Sequence, residues 1–335
     1  MADSITASAT VPIPERVDRR VWVAVFLMLL FALVPLYAWL ADDVYVLTYF
    51  GRMLIFALAA VGLNLILGFG AMASLGHAMY FGFGAYTVGI LSTWGFTNGW
   101  LHLSVALVVT VLIAIPVGWI ALRTRGMAFI MITLAFAQLF FYVFVSLRAF
   151  GGDEGLSLTE LSGFGALTGN KYAIYLSLLL TLVLVLWFTH RLVKSRFGLV
   201  LRASRHNEPR LNALGTASQP YRLVAYVFSA QICAVAGFFM ANLTGFVSPS
   251  LMSWLISAEF MVMVLLGGMG TVFGPVIGAA GLLLIEDGLK TVTEHWPLIL
   301  GPLIVLAVIW LRQGLWGLMA PSGGKAASSA DQGDH

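Results

Sequence analysis

The sequence predicts an all-α integral membrane protein of about ten transmembrane helices with Gly-rich broken segments. Three observations carry this. Of 335 residues, 60% are apolar and only 10% charged, against roughly 25% charged in a soluble domain. The mean hydropathy is +0.94. Apolar runs repeatedly reach the ~20 residues a helix needs to cross ~30 Å of hydrocarbon. Helices satisfy their own backbone hydrogen bonds, as lipid demands. The runs are apolar throughout, without the alternation of a membrane β-barrel.

In chain order, Arg16, Arg19 and Arg20 precede a first helix over residues 21–40, and Asp42 and Asp43 follow it. This charge bias places the N-terminus in the cytoplasm. No small-residue cleavage site follows, so the helix reads as retained. A second helix covers 44–67 and carries Arg52 and Asn64. GFGAMASLGHAMYFGFGAY (68–86) then gathers glycines at 68, 70, 76, 82 and 84. Such a segment reads as close helix packing or as a broken helix, tolerated at membrane depth only against protein or a water-filled cavity. A third helix runs on to residue 94. Further helices are expected over 101–122, 127–147, 172–189, 223–243, 254–266 and 297–311, with one more after LGGMGTVFGPVIGAAG (266–281). That second Gly-rich segment echoes the first. Internal duplication, common in transporters, and chance similarity both account for the echo.

The charges test the topology. Seven of the 18 Lys and Arg lie in residues 191–222, namely Arg191, Lys194, Arg196, Arg202, Arg205, Arg210 and Arg222, with one acid, Glu208. With ten spans this stretch, Arg123, Arg125, Arg312 and Lys325 all fall inside with both termini, while Arg148, Lys171 and Lys290 fall outside. The basic residues sit at helix ends and in loops, so they read as orientation signals and not as a nucleic-acid surface. The stretch itself is either a solvated loop attracted to anionic lipid or a docking surface. A short helix is expected over 202–214, started by Ser204 or Asn207, with Pro209 in its first turn, Ala213 and Leu214 on a small apolar face and Gly215 as its stop.

Reactive constellations are lacking. No GxxxxGK[ST] loop is present to hold ATP phosphates, and no His pair has metal-ligand spacing. His77 near Ser74 reads as a packed or hydrogen-bonded histidine, because a hydrolase would also need an orienting acid and an oxyanion site. Cys233 reads as a small packed residue without a disulfide partner. Among intramembrane polar residues, Glu259 has three readings: lining a pathway, pairing with a base such as Arg52, or capping its helix. Asn64, Gln138, Gln231 and Asn242 read as interhelical hydrogen-bond partners or as substrate ligands.

Four segments together carry a family resemblance: GLNLILGFGAMASLGHAMYFGFGAY (62–86), GGDEGLS (151–157), SRFGLVLRASRHNEPRLNALG (195–215) and EFMVMVLLGGMGTVFGPVIGA (259–279). In this order and spacing the chain resembles the LivM-type inner-membrane permease subunits of branched-chain amino acid ABC importers. The resemblance implies a transport subunit and not an enzyme. It implies no cofactor in this chain, with ATP and Mg on two cytoplasmic ATPase subunits. A second homologous permease and a periplasmic substrate-binding protein are the other implied partners. Residues 1–20 would be a cytoplasmic tail, 21–315 the permease domain with 191–222 as its coupling loop, and 316–335 a disordered cytoplasmic tail, all in a bacterial inner membrane. The segment with Arg205, Asn207, Glu208, Arg210, Ala213, Leu214 and Gly215 would dock on an ATPase; Pro209 and Asn212 depart from the commoner residues there. Ser74, Gly76, His77, Gly267 and Gly268 would face the translocation path or the permease interface, with Asn64, Gln138 and Glu259 as further path candidates. Urea or short amides are alternative cargo, and a stand-alone ion-coupled transporter is the alternative mechanism.

Overall fold

The computed structural model describes residues 19–158, 160–163, 171–310 and 314–318. The expected N-terminal tail up to residue 18, with Arg16, and Arg312, Lys325 and residues 319–335 of the expected C-terminal tail lie outside the described residues.

The described chain is almost entirely helical: α1 (Arg19–Ala41), α2 (Val44–Gly70), α3 (His77–Thr93), α4 (Gly99–Ala121), α5 (Met127–Ser146), α6 (Lys171–Lys194), α7 (Arg196–Ala213), α8 (Ser218–Thr244), α9 (Trp254–Gly267), α10 (Gly274–Val292), α11 (Trp296–Trp310) and α12 (Gly314–Leu318). Two two-residue strands, β1 (Leu156–Ser157) and β2 (Phe246–Val247), pair antiparallel between the α5–α6 and α8–α9 connections. Six helices (α1, α2, α4, α5, α6 and α8) are long and apolar enough to cross a membrane, and α9 and α11 are shorter apolar helices. Side-chain oxygens start several of them. Asp43 accepts from the Tyr45 amide at 2.9 Å, Asn98 from Trp100 at 3.0 Å and Ser253 from Leu255 at 3.3 Å, each meeting a donor that a helix N-terminus leaves open.

The bundle is built around α2. Every residue from Met53 to Gly70 is buried, and α8, α10, α6 and α9 sheathe it. α3 lies on α8 and is flanked by α4; α1 rests on α2 and α6; α11 and α12 close over α9 and α10. The α3–α8 seam is a backbone contact. A Cβ on Gly84 would overlap the Ala234 carbonyl, and a Cβ on Gly237 would overlap the Phe81 carbonyl. The outward faces of α1, α4, α5, α6 and α11 expose large apolar side chains such as Phe26, Leu112, Met131, Leu180 and Val305, the pattern of helices that meet lipid.

Both Gly-rich segments are broken, and more briefly than their glycine content suggests. α2 runs through Gly70, the chain is non-helical only from 71 to 76, and α3 continues across Gly82 and Gly84. The second break covers 268–273, and α10 continues across Gly278 and Gly281. These glycines serve close approach: a Cβ on Gly278 would strike the Met263 carbonyl. α7 begins at Arg196 and not at 202, and α12 forms where the permease domain was expected to give way to a tail.

Candidate functional site

The candidate site is the place where α7 meets both breaks. α7 is two helical pieces joined at Asn207, whose backbone is extended (φ −156, ψ 92). The cause is local. Pro209 has no amide to donate to the carbonyl four residues back, that of Arg205, and its ring crowds that carbonyl, so the incoming helix breaks in the turn before it. Asn207 then restarts the helix, its Oδ1 accepting from the Arg210 amide at 3.0 Å. Gly215 ends the segment at φ +83, a conformation open to glycine at little cost. Arg210, Ala213, Leu214 and Gly215 are exposed, Leu214 to 76%.

The N-terminal piece reaches α2. Arg205 Nη1 donates to the Gly68 carbonyl, and Gly270 of the second break lies against the same carbonyl and the same guanidinium. Past the kink, Glu208 is a three-way hub. Its carboxylate takes the Ser218 hydroxyl at 2.6 Å, Arg222 at 3.1 Å and Arg125 at 3.2 Å. The Arg222 side chain is only 10% exposed and Arg125 63%, so the Arg222 pair carries most of the energy and the Arg125 pair little. Arg222 Nε also donates to Met72 Sδ at 3.4 Å, in the first break. α7 is therefore tied to the second break and the end of α2 through Arg205, and to the first break through Glu208 and Arg222. A cavity of about 680 Å³ opens beside the hub, bounded by Trp119, Arg123, Arg125, Glu208 and Ser218.

The breaks are closed by side chains. Asn64 on α2 donates to the Thr271 carbonyl at 2.7 Å and accepts from the Gly270 amide at 3.2 Å. Thr271 Oγ1 donates to Gly268 O at 2.8 Å and accepts from the Gly274 amide at 3.1 Å. Gly268 turns at φ +116, and a Cβ on Gly267 would overlap the Gly274 carbonyl. In the first break, Ser74 Oγ accepts from the Gly76 amide at 3.2 Å and shares a 2.9 Å hydrogen bond with His77 Nδ1. Thr133 on α5 accepts from the Leu75 amide, Ser257 on α9 accepts from the Ala78 amide at 2.8 Å, and Gly76 abuts the Thr133 carbonyl. His77 is fully buried against Tyr80 and Tyr226, and its Nε2 has no hydrogen-bond partner among the described residues.

Asn64, Ser74, Gly76, His77, Gly267 and Gly268 thus belong to the two breaks, and Arg205 and Glu208 to the elements that hold them. Asn64→Ala is expected to lower stability by about 2 kcal/mol, since it strips the partner from two part-buried backbone groups, the Thr271 carbonyl and the Gly270 amide. Thermal unfolding in detergent measures this. Gln138 is half-buried on α5, without a hydrogen bond to the described residues, and stands apart from the breaks. Glu259 is also elsewhere. Ser253 caps α9, no ion pair joins Glu259 to Arg52, and Glu259 lies a turn further in. Gln231 and Asn242 link helices or loops, to Leu107 O and the Ser162 amide, and Cys233 is buried on Ala59 O. Sequence reasoning gave no site role to Arg125, Ser218, Ser257 or Thr271, and noted Thr133 only as a polar residue beside Gln138 on its helix. Arg125 and Arg222 left a signal, each as a base at the foot of an apolar helix.

Among the described residues, no group of three or more His, Cys, Asp or Glu could hold a metal ion. A family model described as the permease component of the branched-chain amino acid transport system matches residues 45–309. Among curated relatives, the high-affinity branched-chain amino acid transport system permease protein LivM of Salmonella typhimurium is 29% identical over 293 residues, covering 80% of this chain and 69% of that protein. LivM of Escherichia coli matches with the same identity and coverage. The Escherichia coli permease protein LivH of the same transport system is 24% identical over 286 residues, covering 78% of this chain and 91% of LivH. No solved structure matches the chain. The family match takes in both breaks, α7 and the helices between them, so the chain belongs to the permease-component family of branched-chain amino acid transport systems.

Proposed function

We propose that this chain is the membrane-path subunit of an ATP-driven, binding-protein-dependent importer of branched-chain amino acids. In this reading it works by alternating access with a second, homologous permease, two cytoplasmic ATPases that carry ATP and Mg, and a periplasmic binding protein. The LivM and LivH relatives, two permease proteins of one transport system, support the paired permease. The chain would sit in the inner membrane with both termini and the 191–222 loop in the cytoplasm, as the Lys and Arg distribution favours.

The observation that carries the reading is the attachment of α7 to both breaks. α7 is the most polar of the described helices, with an exposed end at Arg210, Ala213, Leu214 and Gly215, suited to a groove on an ATPase. Closure of an ATPase pair would move α7 as a body. Arg205 would carry Gly68 and the second break with it, while Glu208 and Arg222 would carry the first. The ATPases supply the difference in stability between two arrangements, and the permease supplies the two packings. Backbone-on-backbone contacts let helices shift without side chains blocking them.

The test is uptake in proteoliposomes holding this chain, its partner permease and the ATPases, with binding proteins preloaded with leucine, urea or a short amide. ATP-dependent leucine uptake that disappears when 205–215 is scrambled, with assembly intact, is the expected result. Uptake by this chain alone, driven by an ion gradient and indifferent to ATP, would sink the reading.

A further inference from the structure

Apart from α7 and the ends of α1, α6 and α8, the described helices carry five charged residues: Arg52, Glu259, Glu286, Asp287 and Lys290. They come from three helices and converge on one patch. Lys290 Nζ meets Glu286 at 2.6 Å and Asp287 at 4.0 Å, and Tyr49 on α2 faces Asp287. Glu259 lies within electrostatic reach of Arg52, Glu286 and Lys290. Arg52 and Gly68 stand 16 residues apart on α2, so the patch is about 24 Å along the helix from the α7 attachment.

Two members of the patch differ from the rest. Glu286 is buried and bonded to Lys290. Arg52 is exposed, the one such residue on α2 between Val46 and Gly70, and its guanidinium lies over the Phe56 ring, 5.4 Å from the centroid. Glu259 is half-buried, and neither it nor Arg52 forms an ion pair within 4.0 Å among the described residues. A charge turned toward hydrocarbon is costly, so intramembrane ionisable residues face protein or a water-filled cavity. An open guanidinium and an open carboxylate on adjacent helices offer opposite charges to one ligand. The guanidinium fork matches a carboxylate bidentately, and the carboxylate suits an ammonium group.

Resting on the importer reading, we infer that Arg52 and Glu259 form a subsite for the α-carboxylate and α-ammonium of a zwitterionic amino acid, on the path at the end of the bundle opposite α7. Glu286 and Lys290 fix its electrostatics by neutralising each other beside it. Neutral amides and urea lack both charges and would gain little there.

The chain's one cysteine, Cys233, is buried, so with cysteine-free partner subunits Arg52→Cys supplies the one accessible thiol. The full complex in proteoliposomes is assayed for leucine uptake per ATP hydrolysed. Arg52→Cys is expected to lower that ratio about ten-fold, the loss of a charge-assisted hydrogen bond. Aminoethyl methanethiosulfonate, which restores a cation, should recover most of it, and the sulfonatoethyl reagent should not. Leucine-loaded binding protein should slow the labelling. Glu259→Gln should lower the ratio by a similar factor, and serves alone if Arg52→Cys does not assemble. An unchanged ratio in either variant, or labelling equally fast with and without substrate, as for an arginine that reaches only lipid headgroups, overturns the subsite. Absence of uptake by the unaltered complex would instead sink the importer reading.

Discussion

Glu208→Ala is expected to abolish ATP-driven uptake and to destabilise the chain by about 3 kcal/mol. The change leaves Arg222, nearly buried, without its carboxylate, and a half-broken buried ion pair is the costly case. It also frees the Ser218 hydroxyl and the Arg125 guanidinium from a shared partner. Glu208→Gln keeps an acceptor for Ser218 and should lose less stability than the alanine variant. Arg205→Ala separates the two roles of α7. It removes the hydrogen bond to Gly68 O but leaves the hub at Glu208 in place. The complex should still assemble and hydrolyse ATP, while uptake per ATP falls at least ten-fold. Melting curves of the purified complex, paired with uptake and phosphate release, measure both. Uptake that survives Glu208→Ala with an unshifted melting curve would remove the hub from the mechanism.

The other large effect lies at the α3–α8 seam. Gly84→Val and Gly237→Leu each put a branched side chain where a carbonyl of the facing helix already sits. Backbone cannot turn aside as a side-chain end can, so the two helices must part along their length. The cost is on the order of 3 kcal/mol or more, the upper range for overpacking a tight core. Little monodisperse protein should be recovered from either variant, and the double variant should not rescue the loss. The control is Gly288→Ala, on α10, where an added Cβ meets nothing within 4 Å. It should express and unfold like the parent.

The helices were legible because each crossing must be a long apolar run, and composition alone locates it. Their edges were less so. The expected start of α8 at 223 misses its first turn, since Ser218 to Arg222 read as loop chemistry although Arg222 is buried against Glu208. The beginning of α7 was missed for the same reason: RFGLVL lies next to basic residues and reads as neither span nor loop. Glycine marked both breaks but overstated their length, because a glycine that makes room for a neighbouring backbone looks like one that ends a helix. Gly84 and Gly278 are of the first kind, Gly268 of the second. Asn207, with Pro209 in the turn after it, was one of two expected helix starts, and α7, which begins at Arg196, restarts there. What could not be read was pairing. That Asn64 would close a turn at 268–273, or that Arg205 would hold Gly68, depends on segments roughly 140 to 210 residues apart, and no local pattern encodes it.

The burial of α2 has a consequence for synthesis. Its sheath is completed by α8 and α10, and α10 begins 204 residues after Gly70 leaves the ribosome. At about 5–20 residues per second, α2 waits roughly 10–40 s before that cover exists. During this interval Asn64 has no Thr271 to bond and Gly68 no Arg205. The newborn helix must be sheltered by the insertion machinery or by its early neighbour α1, and chains that stop short of α10 carry an unfinished helix, a mark by which membrane quality control could tell them from complete ones.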